Sequence, residues 1–208
     1  MTSFIRILFG LTVLGLTLSG CATGTPNADP ATIAAVSYRD PGPKSMTLYT
    51  MVNNRSGSGA HSGLVIASSE TILFDPAGSF YLDGIPERDD VLYGINPGIE
   101  WAYKSAHART SHHVVVQTVP LTPQQAAVAY QLAVQNGSVG SAFCSNATSS
   151  LISKIPGFEN IKTTLSPKNL SKQFGALPGV KTERYFEDDS PDLEAALAAG
   201  YKAPVSTE

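Results

Sequence analysis

Two runs of β-forming residues on either side of a short polar turn constrain the fold more than any other feature of this chain. They are residues 61–67 (HSGLVIA) and residues 71–76 (TILFDP), and Ser-Ser-Glu separates them. Such runs around a tight turn are typical of an antiparallel hairpin. The turn places His61 roughly opposite Asp75 or Pro76, and directly opposed side chains lie on one face of a sheet. The hairpin therefore predicts a carboxylate within reach of an imidazole, in a register that a slip of one residue would change.

Further strands and helices are predicted around this hairpin. Alternating and β-branched residues predict strands over residues 46–52, 112–119 and 180–186. Capping residues, proline at the first helical position and apolar spacing predict helices over residues 99–108, 123–135, 142–155, 167–174 and 192–199. The segment from 77 to 108 is otherwise irregular and is interpreted as a long excursion, either a lid or substrate wall or a stabilising surface insertion. Together these patterns predict an α+β fold in which an antiparallel sheet packs on helices.

Cys144 lies in the first turn of one predicted helix. Ser141 is the predicted N-cap, which makes Cys144 the third helical residue. The positive end of a helix dipole and the unpaired backbone N–H groups lower the pKa of such a thiol, and the thiolate is the nucleophile. A cysteine nucleophile needs a base and a group that orients the base, and we assign these roles to His61 and Asp75. Backbone N–H groups at the helix start are candidates for an oxyanion hole. The alternative interpretation of Cys144 is a small buried core thiol.

The N-terminus has the pattern of an export signal. Arg6 supplies a positive charge, and the apolar run over residues 5–18 is too short and too rich in Gly and Thr for a good membrane span. Residues 1–20 are therefore predicted to be a signal peptide. The sequence Leu-Ser-Gly-Cys that ends at Cys21 resembles the bacterial lipobox. This resemblance implies that Cys21 carries a diacylglyceryl thioether and an N-acyl chain such as palmitate. Because Ala22 stands where a retention signal would carry Asp, it also implies an anchor in the outer membrane facing the periplasm. An ordinary cleaved signal is the alternative.

Lipidation of Cys21 would change the role open to the other cysteine. The chain has two cysteines, so Cys144 would then have no intramolecular disulfide partner. An unpaired thiol in an oxidising envelope is a liability unless it is buried or used, which favours the catalytic role. Residues 21–45 are rich in Thr, Pro, Ala and Asp and are predicted to be a lipidated tether. The domain is predicted over residues 46–186, and residues 187–208 form a polar tail.

Composition and charge exclude several classes of function. A length of 208 residues and a hydrophobic content of 42% fit one domain with a core. The net charge is −3 without any basic run, so nucleic acid is not expected as a partner. A metal site at His107, His112 and His113 is not expected, because adjacent histidines on a strand point to opposite faces and no Cys or carboxylate completes a ligand spacing. No cofactor is expected, and the oligomeric state is left open.

Four segments in a fixed order resemble a known family. The segments AHSGLVI, ILFDPAG, VVVQTVPLTPQQAAVAY and GSAFCSNATSSLI are similar to circularly permuted NlpC/P60-like, papain-like hydrolases, in which the histidine strand precedes the cysteine helix. The resemblance covers about Met46 to Ile155. It implies a papain-like antiparallel sheet packed on helices in the permuted order. It also implies that Cys144 is the nucleophile and His61 the base, with Asp75 in the place of the polar third residue. The chain departs from many relatives at Phe143, where they carry Asn, and in the long segment after Asp75.

The resemblance implies three alternative functions. The first is an envelope cysteine peptidase or amidase that cleaves amide bonds in peptidoglycan peptides through an acyl-enzyme. The second is a thiol acyltransferase or another lipid-directed enzyme. The third is a non-catalytic binding lipoprotein on the same fold. The expected partners are the membrane, reached through the lipid anchor, and a peptidoglycan or lipid substrate.

Overall fold

A seven-stranded sheet forms the centre of the molecule, with strand order β4-β5-β3-β2-β1-β6-β7. The computed structural model describes residues 27–187, so the predicted signal peptide, Cys21 and the predicted helix over residues 192–199 lie outside the described part. The strands are β1 (Ser45–Asn53), β2 (Gly59–Ala67), β3 (Thr71–Phe74), β4 (Glu87–Arg88), β5 (Val91–Tyr93), β6 (His112–Pro120) and β7 (Lys181–Tyr185). The helices within these residues are α1 (Pro30–Ala35), α2 (Pro97–His107), α3 (Pro123–Val134), α4 (Cys144–Ile152) and α5 (Pro167–Gly175).

Every neighbouring pair of strands in the sheet is antiparallel. The α+β class, with an antiparallel sheet packed on helices, is thereby confirmed. The finer assignment, a permuted papain-like arrangement of the NlpC/P60 type, stays a prediction. No helix within residues 27–187 has the length and apolar composition needed to span a bilayer.

Helices cover both faces of the sheet, because side chains alternate between the faces along each strand. On β2, Leu64 and Ile66 belong to one apolar cluster, which also contains buried residues of α3, α4 and α5. Val65, between them, belongs to a second cluster formed with α2. A side chain at the end of β2 can therefore meet groups from either layer.

The hairpin of β2 and β3 is present, with one change of register. Its ladder pairs Ala67 with Thr71 and ends where Leu64 pairs with Phe74. Continuing this register places Asp75 opposite Gly63 and not opposite His61, so the predicted direct opposition is wrong by two residues. The turn contains three residues, Ser68 to Glu70, and this length sets the register. Because positions two apart share a face, His61 and Asp75 still lie on one side of the sheet.

The segment from 77 to 108 is built into the sheet and the core. Its strand β5 pairs with β3, and β4 pairs with β5, so the segment extends the sheet by two strands. Phe80 and Ile95 are buried in the second apolar cluster. These side chains supply core, so the segment is not a surface insertion, and its interpretation as a lid or substrate wall stays a prediction.

The described part of the predicted tether, residues 27–44, also lies against the domain. The Ala28 N–H donates to the Glu87 carbonyl at 2.8 Å, and the Tyr38 carbonyl accepts from the Thr71 N–H at 2.8 Å. Ile33 packs against the first apolar cluster. These contacts are incompatible with a free linker, so the prediction of a tether is corrected for residues 27–44. At the other end Glu187 is the last described residue, and the rest of the predicted polar tail lies outside the description.

Candidate active site

The His61 ring and the Asp75 carboxylate are in direct contact. His61 Nε2 lies 2.7 Å from Asp75 Oδ1, and the Tyr103 hydroxyl donates to the same oxygen at 2.6 Å. Asp75 directly follows β3, and its side chain is almost fully buried. Burial by itself would raise the pKa of this carboxyl group, but the bonds from His61 and Tyr103 outweigh burial and lower it. Asp75 is therefore held as a buried carboxylate against the imidazole.

The groups around the Cys144 thiol that lower its pKa are His61, the Ser62 backbone N–H and the Ser145 side chain. Since Nε2 of His61 is used by Asp75, the ring nitrogen left for the thiol is Nδ1. Burial by itself raises the pKa of the thiol, but the His61 bond and charge, with the Ser62 N–H, lower it to about 7. In the same way burial lowers the pKa of His61, while the bonds to Asp75 and Cys144 raise it to about 10. A thiolate–imidazolium pair is therefore present near neutral pH.

Burial of Cys144 does not make it a core thiol. The residue is only 6% exposed, as the structural interpretation expects, and it is the free cysteine within residues 27–187. Its partners, however, are an imidazole, a backbone N–H and a hydroxyl. A thiol that only packs has apolar neighbours and an ordinary or raised pKa. The surroundings of Cys144 are those of an activated thiol.

Cys144 lies on α4, on one face of the sheet, whereas the ring of His61 lies on the opposite face. The side chain of Ser145, on α4, contacts Ser62 of β2 through their hydroxyl oxygens at 3.0 Å, on the α4 side of the sheet. The His61 ring stacks on His107 of α2, with ring centroids 6.1 Å apart and an angle of 16° between the ring planes. The β2–β3 ladder has already ended at Leu64. The thiol and the imidazole thus meet around the open end of the sheet.

Two glycines leave space for the Asp75 carboxylate. A Cβ at Gly63 would overlap the Tyr103 hydroxyl and lie 3.1 Å from Asp75 Oδ1. A Cβ at Gly78 would overlap the other carboxylate oxygen. Tyr103 itself is fully buried, and its pKa is raised well above the usual range by burial and by the charge of Asp75. The hydroxyl therefore stays protonated and serves Asp75 as a donor.

The Asp90 carboxylate joins the two chain segments that carry the site. Its Oδ2 accepts from the Ala77 N–H at 3.1 Å and from the Val139 N–H at 2.8 Å. The Asp90 carbonyl also accepts from the Asp75 N–H at 2.8 Å. Asp90 has a positive φ of 62°, so its turn is held in a conformation that few non-glycine residues adopt. One side chain thus fixes the loop after Asp75 relative to the segment that leads to Cys144.

The start of α4 differs from the prediction. The N-cap is Phe143, without a side-chain hydrogen bond, and Cys144 is the first helical residue. Ser141 cannot cap this helix because Ala142, with a φ of 70°, turns the chain between them. The first N–H groups of α4 are consequently left without a side-chain acceptor, as an oxyanion hole requires.

Sequence reasoning brought together Cys144, His61 and Asp75 but missed Tyr103 and Asp90. The only signal in the sequence for Tyr103 is its spacing of four residues from His107 on one predicted helix. His112 and His113 lie away from the thiol, bonded to Ser111 and Asn54. No group of metal-ligating side chains forms anywhere in the described part of the chain.

The arrangement can deliver a thiolate to an electrophilic carbon and return a proton from an oriented imidazolium. This is the chemistry of covalent acyl transfer. The resemblance to NlpC/P60-like hydrolases stays a prediction. Comparison with known protein families, with curated proteins and with solved structures finds no match for this chain.

Proposed function

We propose that this chain is a cysteine hydrolase that cleaves amide bonds in peptidoglycan peptides through an acyl-enzyme intermediate. The observation that carries the proposal is the contact of His61 Nε2 with Asp75 Oδ1 at 2.7 Å, together with the lowering of the Cys144 pKa by His61. The proposal includes export and anchoring through Cys21 in the outer membrane, facing the periplasm. It would place the domain beside its polymer substrate.

In the first half of the proposed reaction, the Cys144 thiolate attacks the carbonyl carbon of the amide. The negative charge moves to the carbonyl oxygen, where backbone N–H groups at the start of α4 donate to it. His61 then gives its proton to the departing amine as the C–N bond breaks. The products are a free amine and an acyl-thioester on Cys144.

In the second half, water replaces the amine at the same carbon. His61, now neutral, takes a proton from the water molecule while the water oxygen bonds to the thioester carbon. The intermediate collapses, the C–S bond breaks, and the carboxylic acid leaves. Asp75 stabilises the imidazolium in both halves and keeps Nδ1 turned toward the sulfur, as an orienting residue does.

Replacement of the nucleophile or the base tests the proposal directly. We expect Cys144→Ala and His61→Ala each to abolish release of new amino groups from purified muropeptides, while circular dichroism shows an unchanged fold. His112→Ala is the matched control, since this histidine bonds to Ser111 and not to the thiol, and it should retain full activity. Turnover that is retained in either site variant would refute the enzyme proposal.

A thiol acyltransferase is the second candidate, and one observation favours it. Phe143, directly before the nucleophile, is 52% exposed, so an apolar ring borders the site where an acyl chain would lie. Incubation with phospholipid vesicles would then leave an acyl group on Cys144, which mass spectrometry of the intact protein detects. Acylation by lipid without muropeptide cleavage would replace the first candidate with the second. If the protein neither cleaves muropeptides nor is acylated by lipid, and if Cys144 titrates with an ordinary thiol pKa, a non-catalytic binding lipoprotein would be favoured.

A further inference from the structure

A cavity opens on the same side of the sheet as α4, between α5 and the edge formed by β6 and β7. Its volume is about 690 Å³. Lys168 and Lys172 reach it from α5, and Arg184 reaches it from β7. The proposed mechanism uses none of these residues.

The charged side chains that line this cavity are all positive. Its lining holds Lys168, Lys172 and Arg184 but no carboxylate, although the whole chain has a net charge of −3. Within residues 27–187, none of the three cations is part of an ion pair. His113 also lines the cavity, and its pKa is lowered by burial and then by the charge of Arg184. Like charges gathered without counter-charges repel one another, and a bound anion would relieve this repulsion.

The floor of the cavity is polar and ordered. Gln117 is 4% exposed; its Oε1 accepts from the Ser171 hydroxyl at 2.9 Å, and its Nε2 donates to the Thr182 hydroxyl at 3.4 Å. On one side Phe186 stacks on His113, with ring centroids 4.7 Å apart. The lining thus combines charged donors, hydroxyl groups and an aromatic wall, as a specific small-molecule site does.

The cavity lies at the same end of the sheet as the thiol. His113, in its lining, pairs with Val52 of β1, which pairs with Gly59 of β2, two residues before His61. Two strand spacings separate β2 from β6, or about 10 Å. The start of α5 packs against the start of β2, because a Cβ added at Gly59 would lie 2.8 Å from Pro167 Cβ. An extended peptide of about three residues spans that distance between the strand that carries His61 and the strand that lines the cavity.

We propose that this cavity is an oxyanion-binding subsite, which holds a carboxylate or phosphate group of the substrate while the reacting carbonyl lies at Cys144. The substrate half of this proposal rests on the proposed function. Arg184 supplies a planar fork for two oxygen atoms, and the two lysines supply point charges. Peptidoglycan peptides carry free carboxylates, and phospholipids carry phosphate, so the two sources share this chemistry.

Direct titration tests the subsite without any turnover. Glutarate and inorganic phosphate are titrated separately into Cys144→Ala protein at constant ionic strength, with the His113 ring signals followed by NMR. We expect a saturable shift, weakened about tenfold or more in Lys168→Gln/Arg184→Gln, because each bond to a charged group is lost. The matched control is Lys154→Gln, which removes one exposed positive charge outside the cavity and should leave the affinity unchanged.

The outcomes separate the sources and the two proposals. Saturation by glutarate alone identifies a carboxylate, and saturation by phosphate alone identifies a phosphate-bearing ligand. Unsaturable shifts with both anions, or equal weakening in Lys154→Gln, would overturn the subsite. If the anions bind but wild-type protein cleaves no muropeptide, the proposed hydrolysis fails while anion binding stands. If muropeptides are cleaved with an unchanged KM in Lys168→Gln/Arg184→Gln, the anchoring role fails while the hydrolase stands.

Discussion

Gly63→Ala would place one methyl group against the Tyr103 hydroxyl, in a contact that has no room for it. The new Cβ would overlap the Tyr103 hydroxyl and lie 3.2 Å from Tyr103 Cζ. The hydroxyl would need to retreat by roughly 1 Å to reach ordinary contact. Its ring cannot yield easily, since it packs edge-on between Tyr49 and Phe80, at centroid distances of 5.5 Å and 5.1 Å.

The cost follows from these contacts. Overpacking costs about 1–3 kcal/mol, and losing the hydroxyl bond to the Asp75 carboxylate costs about 1.5–3 kcal/mol. Removing a glycine from the unfolded chain returns about 0.4–1 kcal/mol. We therefore expect the free energy of unfolding to fall by roughly 1.5–5.5 kcal/mol in urea denaturation. Because Asp75 orients His61, alkylation of Cys144 by iodoacetamide at pH 7 should also slow by about tenfold, as the thiolate fraction returns to a few per cent.

A double-mutant cycle isolates the cause. Tyr103→Phe removes the hydroxyl that the methyl group would meet, so Gly63→Ala should cost at least 1 kcal/mol less in the Tyr103→Phe background than in wild-type protein. Additive losses would show that the overlap with the hydroxyl is not the source of the instability. Unchanged stability and alkylation in Gly63→Ala alone would refute the close packing of Tyr103 over the strand.

Three further perturbations test other parts of the site and fold. The rate of Cys144 alkylation should rise through pH 7, because the pKa of the thiol is lowered to about 7, and turnover should fall again above pH 10, where His61 loses its proton. His61→Ala should move the midpoint of the alkylation profile up toward pH 8.5. A midpoint that stays at pH 7 in this variant would contradict the ion pair. Asp75→Asn removes the charge that raises the pKa of His61, so alkylation at pH 7 should slow by about tenfold, and an unchanged rate would show that the carboxylate does not support the pair. Thr122→Ala breaks the capping box of α3 and should lower the free energy of unfolding by about 1 kcal/mol while leaving alkylation unchanged, since α3 supplies no group to the thiol.

Strong local patterns were predictable from the sequence. The β2–β3 hairpin follows from two apolar runs around a polar turn, and α3 begins where its capping box predicts. The contact between His61 and Asp75 was predicted from the hairpin, although its register was not. A three-residue turn and a two-residue turn differ little in sequence, yet they pair different residues.

The remaining features depend on contacts between distant segments. The strands β4 and β5 have only two and three residues, too few for alternation to be recognised, and they form because β3 offers an edge. The position of Tyr103 over Gly63 depends on how α2 crosses the sheet. Likewise, no local signal shows that Asp90 will accept from the Val139 N–H, 49 residues away.

The arrangement of nucleophile and base on opposite sides of the sheet ties the reactivity of the thiol to the completion of folding. In an unfolded chain Cys144 has an ordinary thiol pKa near 8.5, and only a few per cent is thiolate at pH 7. Formation of one apolar cluster alone does not lower the pKa of the thiol, because α4 belongs to the first cluster and α2, which packs on the His61 side of the sheet, belongs to the second. Only when both clusters have formed does the pKa fall to about 7. A newly made chain would therefore carry a nearly inert cysteine, protected from oxidants and stray electrophiles until the native state is reached.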